Sequence, residues 1–209
     1  MRHTFVCVSA VLVTFGIATI SAAADQGETC VRWQDKIAAY SRLIDRNPDN
    51  AVLYNNRGNA YWCKHDYDHA IADFDQAIRL DPKFAMAYYD RGTAYWSKHY
   101  YDRAIADFDR AIRLDPKKAA AYNSRGGTYW SKGDYNRAIA DFGQAIRLDP
   151  KDVVAYLNRG DAYEKKRDYP RAIADYNQSL KLDPNNDAAR VGRERVQALL
   201  PAKRSGLAP

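Results

Sequence analysis

The dipeptide Asp-Pro recurs at a constant spacing of 34 residues along this chain of 209 residues. It stands at 81–82, 115–116, 149–150 and 183–184, and Asn47-Pro48 marks one further step upstream. A fixed period of this length is typical of a chain built from stacked copies of one small structural unit. Such a stack generally offers a surface to a partner rather than a pocket for chemistry, so the repeat favours a binding function.

Each unit is predicted to contain two helices joined by a tight turn. In the first half of the first unit, Tyr54, Arg57, Gly58 and Tyr61 are spaced along one face of a helix. The second half carries Ala-Ile-Ala-Asp followed by an aromatic residue, and its apolar residues also recur at helical spacing. An aspartate precedes most second helices where an N-cap is needed, and the proline ends the unit. The aspartates are Asp66, Asp134 and Asp168.

Four units align without gaps, at 51–84, 85–118, 119–152 and 153–186. Tyr, Gly, Tyr, Ala, an aromatic residue and Pro occupy positions 4, 8, 11, 20, 24 and 32 of every unit. Ala occupies position 27 in the first three units, and Ser179 stands there in the fourth. This pattern resembles the tetratricopeptide repeat (TPR). The resemblance implies an all-α fold, a right-handed superhelical solenoid of helix–turn–helix repeats. The chain departs from the usual pattern at position 7, where Arg replaces the more usual Leu.

The arginine at position 7 recurs together with an aspartate at position 23 of the same unit. We predict that each pair forms an ion pair between the two helices of its unit. The alternative is that both side chains are exposed and solvated, in which case each pair contributes at most about 1 kcal/mol. The pairs are Arg57 with Asp73, Arg91 with Asp107, Arg125 with Asp141, and Arg159 with Asp175.

The two ends of the stack need caps, because a terminal unit has no neighbour to cover its apolar face. Residues 25–50 are predicted to form a half-repeat cap, since 30–48 aligns with the second half of a unit. Residues 187–200 are predicted to form a capping helix that covers the last unit, and 201–209 a flexible tail. The covering residues are expected to be Ala188, Val191, Val196 and Leu199.

The amino terminus has the three-part form of a secretory signal peptide over residues 1–24. A short basic start precedes an apolar run, and small residues at 22 and 24 predict cleavage between Ala24 and Asp25. The run is also long enough for an uncleaved membrane anchor. Cleavage is favoured because the small residues follow the run directly, and it predicts a periplasmic or secreted protein with no membrane attachment.

The charge of the chain does not point to nucleic acid. The net charge is +6, with 32 basic and 26 acidic residues, and removal of Arg2 with the signal peptide lowers it by one. The basic residues are spread over repeat positions rather than clustered. A protein or peptide of unknown identity is the expected partner, and a homo-oligomer is a further option.

Two cysteines, Cys30 and Cys63, remain after the predicted cleavage, and an even number in an exported protein favours a disulfide. One period places Cys30 beside Cys63 on the neighbouring unit. Equivalent positions in adjacent helices lie about 8–10 Å apart, which exceeds the Cα span of a disulfide. The bond therefore needs movement near the flexible start, and two separate thiols are the alternative.

The sequence contains no set of residues whose types and spacing suit catalysis or a cofactor. Cys63, His65 and His69 are residue types that suit zinc, but their spacing matches no familiar zinc module. His99 copies the position of His65, which favours a repeated surface residue. We therefore predict no metal, no cofactor and no enzymatic activity.

The resemblance implies a concave groove lined by the first helices, at positions 2, 5, 9, 12 and 13 of each unit. Three of the four tryptophans share position 12. They form either an aromatic ladder for an extended peptide or helix, or part of the packing between units, and a mixture of both is also open. The predicted groove residues are Asn55, Asn59, Trp62, Tyr89, Thr93, Trp96, Asn123, Trp130 and Leu157.

Some family members hold a partner's terminal carboxylate with Lys, Arg and Asn on this face. Asn59 matches one such position, but Met86, Asp90 and Ala120 stand where basic residues are required. This mode of recognition is therefore disfavoured. The sequence predicts an exported scaffold that binds a protein or peptide in its groove. The alternatives are a module that self-associates through its end caps and a carrier for a soluble ligand or glycan.

Overall fold

A computed structural model describes residues 25–200, with side chains from residue 32 onward, and this part of the chain contains α-helices and turns but no strand. The predicted all-α solenoid of helix–turn–helix units is confirmed. The terminal helices are α1 (Asp25–Arg46) and α10 (Asp187–Leu199). The first helices of the units are α2 (Ala51–Cys63), α4 (Ala85–Ser97), α6 (Ala119–Ser131) and α8 (Val153–Lys165). The second helices are α3 (Tyr67–Leu80), α5 (Tyr101–Leu114), α7 (Tyr135–Leu148) and α9 (Tyr169–Leu182).

Local signals set the helix boundaries. The carboxylate of Asp134 accepts a hydrogen bond from the backbone N–H of Arg137 at 3.0 Å, and Asp66 and Asp168 cap α3 and α9 in the same way. Tyr100 provides no side-chain cap to α5. The turn between the two helices needs a left-handed residue two positions before each second helix, and only Gly133 among the four supplies it as a glycine.

Each unit is packed around one buried aromatic ring. Phe74, Phe108, Phe142 and Tyr176 are at most 1% exposed. The glycine at position 8 lies against this ring, and a Cβ added at Gly126 would come within 2.8 Å of Phe142 Cε1. No side chain fits at that separation, so glycine is required for the two helices to approach this closely.

The four predicted Arg–Asp pairs are present as bidentate contacts. In each, the arginine Nε and Nη2 donate to the two carboxylate oxygens of its aspartate at 2.6–2.8 Å. The aspartates are only 5–6% exposed. Burial raises the pKa of Asp107, and the hydrogen bonds and charge of Arg91 oppose that rise. The arginine therefore replaces the water that burial removes from the carboxylate. The tyrosine at position 4 lies beside the guanidinium, with Arg125 Cζ 5.7 Å from the Tyr122 ring centroid.

The same arginines also reach the preceding unit, which the sequence pattern did not predict. Arg91 Nη1 donates to Asp75 at 2.6 Å, and Arg125 Nη1 donates to Asp109 at 2.5 Å. Arg159 meets Gly143 at the equivalent position, where an added Cβ would lie 3.6 Å from its Nη1. The ion-pair ladder that links successive units is therefore interrupted between the third and fourth units.

The stack curves with the first helices on its inner side. Successive first helices contact one another directly, from α2 to α4, α4 to α6 and α6 to α8. Among the described helices, successive second helices such as α3 and α5 make no such contact. The first helices are therefore closer together than the second helices, and the face they share is concave. We call this surface the inner face.

The ends of the stack are incomplete units. α1 packs on α2 as a second helix would, although it begins eight residues before the repeat register places such a helix. α10 continues the register of the first helices, and its buried residues are Ala189, Gly192 and Val196. The prediction that Val191 and Leu199 cover the last unit is wrong, because they are 53% and 55% exposed. Val191 lies on the side of α10 opposite the buried Ala189, and Leu199 is the last residue of the helix.

Three predictions fall outside the described residues: the signal peptide at 1–24, the flexible tail at 201–209, and the side chain of Cys30 with its proposed bond to Cys63. Within residues 25–200, no helix has the length and apolar character needed to cross a membrane.

Candidate functional site

Polar side chains on the inner face connect successive first helices. Trp62 Nε1 donates to Ser97 Oγ at 3.2 Å, from α2 to α4. Further along, Asn158 Nδ2 donates to Asn123 Oδ1 at 3.2 Å, from α8 to α6. Tyr89 and Ser124 hydroxyls lie 3.2 Å apart between α4 and α6. These contacts fix the spacing of the first helices and the shape of the face between them.

One carboxylate oxygen of this face accepts two hydrogen bonds from the preceding unit. Asn55 Nδ2 and Asn59 Nδ2 donate to Asp90 Oδ2 at 2.8 and 3.0 Å. Burial raises the pKa of Asp90, and the two donated hydrogen bonds and nearby Lys118 oppose that rise. Asn59 therefore already has a carboxylate partner within the chain.

Two of the nine predicted groove residues are not available on the surface. Asn55 is 3% exposed, because its side chain lies under Asp90 between α2 and α4. Leu157 is 5% exposed and belongs to the apolar cluster of the last unit with Tyr176 and Val196. The prediction that these two residues line the groove is wrong. Position 5 is buried in these two units because residues of adjacent helices cover it.

The tryptophans at position 12 combine both alternatives. Trp62 is half-buried against the cluster around Phe74 and Ala94, and Trp130 is half-buried against the cluster around Phe142 and Ala162. Trp96 is also half-buried, and it lines a pocket on the inner face. Trp62 and Trp130 therefore contribute to packing between units, whereas Trp96 lines the pocket.

The pocket lies between α4, α6 and α8 and has a volume of about 270 Å³. This is slightly below the range of about 300–1,000 Å³ for small-molecule sites and suits one or two side chains of a peptide. Four predicted groove residues line it, namely Tyr89, Thr93, Trp96 and Asn123. Further lining residues that the repeat pattern did not predict are Ser124 and Asn158 at position 6, and Asp149 and Asp152 in the turn before α8.

A glycine opens the pocket. Gly127 stands at position 9 of the third unit, where Asn59, Thr93 and Asp161 stand in the others. A Cβ added at Gly127 would meet nothing within 4 Å. Packing between the helices does not require this glycine, in contrast to Gly126 beside it. Because Gly127 has no side chain, space remains beside it in the pocket that Tyr89 and Trp96 line.

A lysine outside the pocket lining contacts Tyr89, on the α4 side of the pocket. Lys118 Nζ is 4.6 Å from the centroid of the Tyr89 ring and 3.0 Å from Met86 Sδ. Burial lowers the pKa of Lys118, and the charge of Asp90 opposes that shift. Beside Tyr89, therefore, a cation and a carboxylate partly offset each other's charge.

His65 and His69, whose residue types suit zinc, lie at the turn between α2 and α3. His65 Nδ1 is 2.9 Å from the Tyr67 hydroxyl, and His69 Nδ1 is 2.8 Å from Asp66 Oδ1. Both histidines are exposed and each is engaged within this turn. Cys63, at the end of α2, is half-buried.

Comparison with known families identifies the class of this protein. The profile of the tetratricopeptide repeat family matches four overlapping segments, at residues 32–83, 55–119, 89–153 and 124–187. The chain therefore belongs to the tetratricopeptide repeat family. No protein with a curated description matches it in sequence.

Several solved structures are similar to this chain. The crystal structure of MamA is 27% identical, covers 81% of this chain and 99% of its own, and superposes with a TM-score of 0.69. YrrB, described as a TPR protein with an unusual peptide-binding site, is 23% identical over 77% of this chain and 83% of its own, with a TM-score of 0.67. The first TPR of Spaghetti (RPAP3), solved with an HSP90 peptide, is 28% identical over 57% of this chain and 95% of its own, with a TM-score of 0.55.

Proposed function

We propose that this protein is a scaffold for protein–protein interaction that binds an extended segment of a partner on its inner face. The pocket between α4, α6 and α8 takes an apolar side chain of that segment. The observation that carries this proposal is the pocket itself, which is lined by Tyr89 and Trp96 and opened by Gly127. Aromatic rings with polar groups beside them are typical of the residues that anchor peptides.

Two further observations support the proposal. Asn123 and Asn158 border the pocket, and the hydrogen bond from Asn158 Nδ2 to Asn123 Oδ1 leaves Asn123 Nδ2 and Asn158 Oδ1 for a peptide backbone. A structural neighbour at 28% identity, the first TPR of Spaghetti, is bound to a peptide. The peptide of that complex, SRMEEVD, contains three acidic residues, whereas Asp90 places a carboxylate on the inner face here.

The proposal is tested by selecting peptides on the purified full-length protein from a phage-displayed library of random linear dodecapeptides. The dissociation constants of enriched peptides are then measured for wild type and Gly127→Leu. The leucine side chain enters the open space at position 127, so we expect binding to weaken at least about tenfold. Circular dichroism checks that the helix content is unchanged.

Gly127→Ala is the matched control, because a methyl group fills little of the pocket and is expected to change affinity less than about threefold. The proposal is overturned if no peptide is enriched. It is also overturned if the enriched peptides bind Gly127→Leu as tightly as wild type.

We also propose that the protein acts outside the cytoplasm. This rests on the three-part form of residues 1–24 and the small residues before Asp25. Intact mass and amino-terminal sequencing of the protein from the exported fraction are expected to show a chain that begins at Asp25. Recovery of the uncleaved chain from the cytoplasm would contradict export.

A further inference from the structure

We propose that the pocket selects a partner segment in which a lysine or arginine lies close to the apolar anchor residue. The basic side chain is directed toward the turn between α7 and α8. This inference rests on the proposed function and adds the chemistry of the partner to it.

The charge of the pocket wall carries the inference. Asp149 and Asp152 are among its thirteen lining residues, and none of the thirteen is lysine, arginine or histidine. Both aspartates come from the α7–α8 turn and therefore lie at the same end of the pocket. A peptide that enters the pocket meets two carboxylates at this end and a largely apolar, aromatic wall elsewhere.

Each of these carboxylates keeps one oxygen for a ligand. Asp149 Oδ1 accepts the backbone N–H of Lys151 at 3.0 Å, and Asp152 Oδ1 accepts the backbone N–H of Ala155 at 3.0 Å. Within residues 32–200, neither aspartate forms an ion pair with a basic side chain. Lys151 is exposed and has no ion pair with either of them. A cation from a partner would therefore meet carboxylates that the chain itself leaves without a counter-charge.

Asp149 has a counterpart at position 31 of every unit, and Asp152 is the residue that makes the acidic end specific to this unit boundary. The residue at position 34 is Phe84, Lys118, Asp152 and Asn186 in the four units, so only the third boundary carries an acid there. One unit earlier, Lys118 is not a lining residue but lies over the Tyr89 ring, which lines the α4 side of the pocket. The α4 side and the α8 end therefore differ in charge. This polarity orients the segment, with its basic residue at the α8 end.

The test uses the most enriched peptide from the library selection, in its original form and with its basic residue replaced by glutamine or glutamate. Titration with wild type is expected to give about fivefold weaker binding for the glutamine form and still weaker binding for the glutamate form. In Asp149→Asn/Asp152→Asn the three peptides are expected to bind within about twofold of one another. Asparagine keeps the oxygen that caps α8, so the double variant changes charge without removing the cap. The advantage of the basic form should also decrease from about 0.05 to about 0.5 M NaCl.

The outcomes separate this inference from the proposed function. Enriched peptides that bind in a Gly127-dependent way but lack lysine and arginine would overturn the basic preference and leave the peptide site standing. The same holds if the double variant retains the full preference for the basic peptide. Binding that Gly127→Leu does not affect would overturn both.

Discussion

Replacement of Arg125 by leucine is expected to lower the free energy of unfolding by about 3 kcal/mol. The arginine donates two hydrogen bonds to Asp141 and a third to Asp109 of the preceding unit. Asp141 is 6% exposed, so its carboxylate would be left buried without a counter-charge. Loss of one partner of a buried ion pair costs about 3–5 kcal/mol. We place this change at the lower end because Asp109 is partly solvated.

Urea denaturation followed by circular dichroism measures this effect. The double variant Arg125→Leu/Asp141→Ala is expected to lose less unfolding free energy than the two single variants lose in sum, by at least about 1 kcal/mol. If Arg125→Leu alone stays within about 0.5 kcal/mol of wild type, the pair behaves like an exposed surface contact and the ladder does not hold the units together.

The boundary between the third and fourth units, where the ion-pair ladder is interrupted, allows the opposite experiment, in which an ion pair is added. Gly143→Asp places a carboxylate beside Arg159, where Asp75 and Asp109 stand in the earlier units. It is expected to be more stable than Gly143→Asn by about 0.5–1 kcal/mol, because the two replacements differ in charge but hardly in helix propensity. High salt should reduce this difference.

Two adjacent glycines of α6 are expected to respond to alanine in opposite directions. At Gly126 the new methyl group would lie 2.8 Å from Phe142 Cε1 and 3.2 Å from Asp141 Cβ. Overpacking of this kind costs about 2–3 kcal/mol, and improved helix propensity returns about 1 kcal/mol, so a net loss of about 1–2 kcal/mol is expected. At Gly127 the methyl group meets nothing within 4 Å, so a gain of about 0.5–1 kcal/mol is expected.

The comparison of these two variants by urea denaturation has its own internal control, since both changes lie in the middle of one helix. A destabilised Gly127→Ala would show that position 127 is packed rather than open. A stabilised Gly126→Ala would show that the two helices of the unit do not need their close approach.

The sequence predicted the repeat register well because each shared residue has a local role. Asp134 caps the helix that follows it, and Gly126 faces the same buried ring in its unit as Gly58 does in the first. The Arg–Asp pairs were predictable because both partners recur at fixed positions. A residue whose neighbours are the same in every unit can be placed from the period alone.

The candidate site was less predictable because its residues depend on which unit lies beside them. Asn55, Tyr89, Asn123 and Leu157 share position 5, yet Tyr89 and Asn123 line the pocket while Asn55 and Leu157 are buried. Leu157 is covered because the cluster of the last unit, which includes α10, packs over it. The acidic end of the pocket also comes from a turn, whereas the family resemblance pointed only to the first helices.

The central claim is that a partner segment binds in the pocket beside Trp96, and the indole N–H signals of the isotope-labelled full-length protein test it most directly. The chain has four tryptophans, and Trp96→Phe assigns the relevant signal. Titration with an enriched dodecapeptide is expected to shift the Trp96 signal to saturation while the Trp33 signal, from α1 at the far end of the stack, stays in place. A peptide that saturates the protein without moving the Trp96 signal would contradict the claim.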